Sequence, residues 1–156
     1  MSNYSTTYRT DLGLIKITAS DKGLTGLLFD AKFDINLLSV DHPVLSEALK
    51  QLEEYFNGNR KDFTLPLDIQ GTEFQIQVWE AVTKIGYGRT ATYLDIARSI
   101  QNVKAVRAVG LANGKNPTPI IIPCHRIIGS NGKLIGYGGG LWRKEWLLKH
   151  EGAILI

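Results

Sequence analysis

Thr92-Tyr93-Leu94-Asp95-Ile96-Ala97-Arg98-Ser99-Ile100-Gln101-Asn102-Val103-Lys104-Ala105-Val106-Arg107-Ala108-Val109-Gly110-Leu111-Ala112 is the stretch on which the fold turns. It predicts a short helix from Tyr93 to Ser99, with Leu94 and Ala97 facing inward, a brief turn at Gln101-Asn102, and a second short helix from Val103 to about Ala112. Two short helices joined by a tight turn, the second carrying Lys104 and Arg107, have the form of a helix-turn-helix. The same spacing fits an ordinary helical hairpin. Ala105, Ala108, Gly110 and Ala112 lower one face of the second helix, which suits either close approach to a partner or tight helix packing.

Upstream, Thr72 and Gln75 form a capping-box signature, and Phe74, Val78, Val82 and Ile85 share one apolar face of the helix they open. Gly86-Tyr87-Gly88 ends that helix. Gly71 marks a boundary between residues 1–71 and residues 72–156. Before it, residues 6–19 read as extended, and Asp21-Lys22-Gly23 is a turn ahead of Leu24–Phe29, giving a hairpin with room for a further strand. A helix from His42 to Phe56 follows, with Pro43 at its first turn and Gly58 beyond its end. Phe63–Ile69 reads as an extended connector that Pro66 confines to an edge. Downstream of Ala112, Asn113-Gly114-Lys115-Asn116-Pro117 predicts a helix end with Gly or Asn in a left-handed cap. Ile120-Ile121-Ile122 reads as a short buried strand delivering Pro123-Cys124-His125-Arg126. The run Gly136–Gly140 reads as a loop with exposed amides, and a final helix spans Leu141 to Lys149.

The 156 residues are 44% hydrophobic and 21% charged, which excludes a disordered chain. No aliphatic run exceeds four residues, too few to cross a bilayer, and Met1–Ser5 has neither the basic lead nor the apolar core of a signal peptide. The expected compartment is the cytoplasm. The net charge of +3 is unevenly distributed: residues 1–71 hold 7 Lys/Arg and 10 Asp/Glu, residues 72–156 hold 11 and 5. No acidic residue lies between Asp95 and Glu145. A one-signed half fits a polyanionic partner, most simply nucleic acid, or a solvated basic face.

Cys124 is the only cysteine, so neither an internal disulfide nor a zinc site with two thiolates is available. His42, His125 and His150 are scattered, and no metal site or cofactor motif is expected. A lone cysteine is often a small buried hydrophobe. Here His125 adjoins it and Arg126 follows, and a thiolate is favoured by such neighbours. For His125 to serve Cys124, the strand must end at Pro123, because adjacent strand residues face opposite ways. A base needs an orienting partner, and Glu145 and Glu151 are the acids nearest the C-terminus. Glu145 suits the helix dipole without any function; Glu151 at the far end does not, so it calls for a tertiary partner or lies in a frayed end.

Arg107-Ala108-Val109-Gly110, Asn116–Gly129 with Pro-Cys-His-Arg at its centre, Tyr137–Leu141 and Lys144–Gly152 closely resemble the O6-alkylguanine-DNA alkyltransferases. Phe74–Trp79, Thr92-Tyr93 and Ile96-Ala97 fit as well, so the likeness covers about residues 72–152. The resemblance implies a small α/β, ribonuclease H-like domain over residues 1–71. Residues 72–156 would be a mainly helical winged-helix or helix-turn-helix domain. It also implies direct-reversal DNA repair: the minor groove of double-stranded DNA is bound, the alkylated guanine is flipped out, and its O6-alkyl group passes irreversibly to a cysteine. O4-methylthymine is an implied second substrate, and the protein would act as a monomer without a cofactor or a membrane.

Carried over by position, Cys124 is the acceptor, His125 its base through a water, Glu151 the orienting acid and Asn116 a hinge. Arg107 would fill the space of the flipped base and Tyr93 would press on its 3′ phosphate, with Lys104 and Arg126 as further DNA contacts. Tyr137, Gly138 and Gly139 would meet the guanine. The chain lacks the cysteines for the structural zinc of some relatives, and Gly138 stands where many carry a side chain. Two other readings stay open on the residues alone: a helix-turn-helix regulator that never alkylates Cys124, and a cysteine hydrolase using Cys124, His125 and Glu151.

Overall fold

In the computed structural model, residues 3–32 and 41–154 are described; the outermost residues of both expected domains, and 33–40, lie outside this set. The chain divides into two units, Met1–Gln70 and Gly71–Ile156. The first contains β1 (Tyr4–Thr10), β2 (Gly13–Ala19) and β3 (Leu24–Leu28), an antiparallel sheet in the order β1-β2-β3, and one helix, α1 (Pro43–Phe56). The expected extended run 6–19 is therefore two strands. Gly13, at φ 101°, takes the turn conformation that a side chain resists. Ile15, Ile17 and Ala19 of β2 alternate onto the buried face, against Leu45, Ala48, Leu52 and Tyr55 of α1. Pro43 occupies the first turn of α1, as its spacing predicts. The Pro66 segment is held at the sheet edge by Leu24 N–H to the Pro66 carbonyl (2.9 Å) and Asp68 N–H to the Leu24 carbonyl (2.7 Å).

The second unit opens with α2 (Glu73–Thr83), whose Thr72–Gln75 capping box is formed in both directions. α3 (Tyr93–Ser99) follows a second capping box, Thr92–Asp95. Its buried residues are Ile96 and Ala97; Leu94, expected inward, is only half-buried, because the inward face lies one position from the expected one. After the turn, a 3-10 stretch, Val103–Ala105, leads into α4 (Val106–Gly114). α2 and α3 both pack against α4, and buried Trp79 donates its Nε1–H to the Ala112 carbonyl (2.8 Å), fixing the far end of α4. Of the small residues, Ala112 is buried, Ala105 and Gly110 are half-buried and Ala108 is exposed, so they serve both of the uses their size allows.

Two expectations downstream fail. No residue from Asn113 to Asn116 takes a left-handed conformation; α4 runs through Gly114 and ends at Lys115 with φ −100°. Asn113 is instead a buried side chain whose amide faces the Cys124 carbonyl (3.5 Å). Ile120–Ile122 is not a strand but a tight turn, closed by Ile122 N–H to the Thr118 carbonyl (2.9 Å), with Ile120 at φ 76°. A β-branched residue tolerates that conformation only where its surroundings impose it, and Ile120 is completely buried. β4 (Ala91–Thr92) and β5 (Ile127–Ile128) pair in parallel, tying the start of α3 to the residues just after Cys124. α5 (Leu141–His150) closes the unit. No helix among the described residues is long and apolar enough to cross a membrane.

Candidate active site

Pro123 links the Ile120 turn to the next, and Cys124, His125 and Arg126 form a single 3-10 turn. The turn is set by Cys124 N–H to the Ile122 carbonyl (2.7 Å) and Arg126 N–H to the Pro123 carbonyl (2.9 Å). A turn, unlike a strand, lets the three side chains diverge within one small volume. All three are buried.

Glu151, the residue after α5, lies at the centre of the polar cluster and is 5% exposed rather than frayed. One carboxylate oxygen meets His125 Nε2 at 2.8 Å; the other accepts from Arg126 Nε at 2.8 Å, while Arg126 Nη2 reaches Oε2 at 3.1 Å. Arg126 Nη1 donates to the Ile85 carbonyl (2.6 Å) at the end of α2. Burial alone would raise the Glu151 carboxyl, but hydrogen bonds and charge from His125 and Arg126 bring it down to about 2. Arg126 was expected at the DNA surface; the structure places it inside, where its fork neutralises a buried carboxylate. Gly88 passes close to this acid. A Cβ there would stand 3.1 Å from the Glu151 carbonyl, and its φ of +76° is one that glycine adopts freely.

His125 is fully buried, and burial lowers its imidazolium against the opposing pull of Glu151. The neutral ring donates from Nε2 to the carboxylate, which leaves Nδ1 with its lone pair. Nδ1 is buried with no hydrogen-bond partner among the described residues. Burial pushes the Cys124 thiol up to about 11. The Asn116 side chain, the Lys144 charge, its own backbone and the Tyr137 hydroxyl each work in the opposite direction, favouring the thiolate. The resting sulfur is thus a thiol that needs a base, surrounded by groups ready to stabilise the anion.

Asn116 spans the strained turn: its Nδ2 donates to the Ile122 carbonyl (2.8 Å) and its Oδ1 accepts from Thr118 N–H (2.9 Å). Tyr137 is half-buried, and its hydroxyl is buried and faces the thiol. Gly138 is exposed, and a Cβ there would meet nothing within 4 Å; Gly139 is buried. Tyr93 lies beside α4 and the glycine loop: a Cβ at Gly110 would be 3.7 Å from its ring and one at Gly136 3.8 Å from its hydroxyl. Lys104 and Arg107 are exposed and make no hydrogen bond or ion pair among the described residues. Glu145 pairs with Lys149 on the surface of α5 (2.8 Å), apart from the buried cluster. Lys144 was missed as a site residue. It is fully buried, its Nζ donates to the Ile135 carbonyl (2.7 Å), and burial lowers its ammonium to about 8. A cation in the first turn of a helix opposes the dipole, and that was the available signal. Among the described residues, no three His, Cys, Asp or Glu side chains cluster as metal ligands.

Comparison with known proteins covers both units. Residues 73–153 match the DNA binding domain of 6-O-methylguanine DNA methyltransferase, and residues 3–69 match its ribonuclease-like domain. A methylated-DNA–protein-cysteine methyltransferase of Methanosarcina acetivorans is 46% identical over 96% of this chain and 99% of its own. Among solved structures, the O6-methylguanine methyltransferase of Mycobacterium tuberculosis superposes with a TM-score of 0.85 at 41% identity, covering 97% of this chain and 93% of that one. The Mycobacterium tuberculosis OGT in complex with DNA gives 0.86 at 42% identity, over 96% and 92%.

Proposed function

The chain belongs to the 6-O-methylguanine DNA methyltransferases, and from that premise we propose how its own residues carry out direct-reversal repair. The protein transfers the O6-alkyl group of a flipped guanine in DNA to a cysteine, once per molecule. Cys124 is the acceptor, and the observation that carries this assignment is the buried Glu151–His125 pair, its Nδ1 left unbonded, in the same 3-10 turn as the only thiol of the sequence.

An aryl ether is a poor electrophile, so the attacking sulfur must be thiolate. His125 Nδ1 takes the thiol proton through a water, and Glu151 stabilises the imidazolium that forms. Arg126 keeps Glu151 ionised. The Sγ–CH3 bond forms as the CH3–O6 bond breaks, and the electron pair of the broken bond goes to guanine O6. Tyr137, with its buried hydroxyl, donates a hydrogen bond as charge develops there. In the net reaction the proton lost by the thiol is regained by guanine, and a thioether remains on Cys124. Gly138 leaves open space beside the base for larger alkyl groups.

Base extrusion is required because stacking hides the O6 substituent. Arg107, exposed on the second residue of α4, fills the vacated stack; Lys104 contacts phosphate and Tyr93 presses on the 3′ side. The small residues Ala108 and Gly110 suit approach to the minor groove. Asn116 is the hinge between α4 and the Cys124 turn. With α3 and α4 flanked by the β4–β5 pair, we read this domain as a winged-helix variant. A thiol that must stay reduced fits the cytoplasm.

A regulator or a hydrolase is not favoured. Incubation with a duplex containing O6-methylguanine, followed by intact-protein and peptide mass measurement, tests the reading. One methyl on Cys124, lost in Cys124→Ser, is expected; an unmodified protein that still binds DNA would point to a regulator.

A further inference from the structure

The beginning of α5 contradicts its own electrostatics. Arg143 and Lys144 stand in or beside the first helical turn, where the dipole disfavours cations, and both are buried. Their donors go to one place. Arg143 Nη1 donates to the Gly139 carbonyl (2.7 Å); Lys144 Nζ donates to the carbonyls of Ile135 (2.7 Å) and Gly136 (3.3 Å). The Arg143 guanidinium also lies over the Trp142 ring, 4.6 Å from its centroid, which fixes the plane of the fork. Within the loop, Gly140 N–H bonds the Tyr137 carbonyl (2.9 Å), and Arg143 N–H bonds the Gly140 carbonyl (3.1 Å).

Residues 136–140 contain four glycines and one tyrosine. A run so rich in glycine has a large conformational freedom to lose, so ordering it needs an external restraint. We propose that Arg143 is a positioning residue for alkyl transfer: it staples the Gly139 carbonyl and so presets Tyr137 and Gly138 against the extruded base. The inference rests on the assignment of this loop to the guanine. Arg143 touches neither sulfur nor base in this account. Its charge nevertheless favours ionisation of the Tyr137 hydroxyl, the direction that helps Tyr137 donate to the departing oxygen.

The test is single-turnover transfer from an O6-methylguanine duplex to wild type, Arg143→Met and Arg143→Lys. For Arg143→Met the rate at saturating DNA falls about tenfold or more, while half-saturation moves less than about twofold, because α4 is untouched. Alkylation of Cys124 by iodoacetamide, which needs no base pocket, falls far less than transfer does. Arg143→Lys, which keeps the charge and a donor, recovers part of the rate. Amide exchange at residues 137–140 is faster in Arg143→Met than in wild type, whichever substrate is present. If Arg143→Met does not fold, Arg143→Gln, polar but too short to reach Gly139, carries the same expectations. A variant rate within about twofold of wild type, or a parallel loss of rate and DNA affinity, would overturn the proposal. Absence of transfer to wild type would instead fault the assignment of the loop, and loop exchange unchanged by the substitution would overturn the staple on its own.

Discussion

Glu151 shows how one residue sets the chemistry of its neighbours. Its carboxyl is held at about 2 against an ordinary value of 4.5, so between those limits the unfolded chain binds more protons than the folded one. Stability must therefore rise with pH across that window, be fully present above about 4.5 and be lost toward 2, with a total of about 3 kcal/mol. Glu151→Gln removes this slope. It also leaves Arg126 buried without its carboxylate, at a cost of about 3 to 5 kcal/mol near neutrality. Urea unfolding of both proteins at several pH values checks this; equal slopes below pH 4.5 would mean that Glu151 is not held ionised by its partners. The sequence made Cys124 and His125 legible as a pair and marked Glu151 by its misfit with the helix dipole. It misassigned Arg126. Nothing in a basic residue's neighbours along the chain says whether a carboxylate 25 positions away will draw it inside.

Among the elements, α4 carries the most weight, because its exposed start faces solvent while its end is bound to the site. Arg107 is unencumbered, whereas Trp79, Asn113 and Asn116 tie the end of α4 and the residues after it to α2 and the Cys124 turn. If Arg107 fills the space of an extruded base, its contribution exists only when a base must leave a duplex, a step costing a few kcal/mol. Arg107→Ala should then slow repair of duplex DNA far more than reaction with free O6-benzylguanine, even at saturating duplex. A saturated duplex rate equal to wild type would reduce Arg107 to a phosphate contact. The helices were readable from capping boxes and apolar spacing, because those signals are local. The turn at Ile120 was not. Three isoleucines read as strand, and only burial from all sides, a tertiary effect, holds Ile120 at positive φ.

For the molecule as a whole, the decisive fact is that 156 residues contain a single thiol. A methyl thioether on Cys124 has no second cysteine to accept the group, and its carbon–sulfur bond offers the Glu151–His125 pair nothing to hydrolyse. Repair must consume the protein. The charge distribution agrees with the division of labour: the acidic first unit has its own sheet and helix core, and the basic second unit holds both α4 and the thiol. The most direct measurement is therefore a count. With labelled O6-methylguanine duplex in large excess, the account predicts that transfer stops at one methyl per protein, all of it on Cys124. Continued release of methyl beyond that ratio, or a label resting on any other residue, would contradict it.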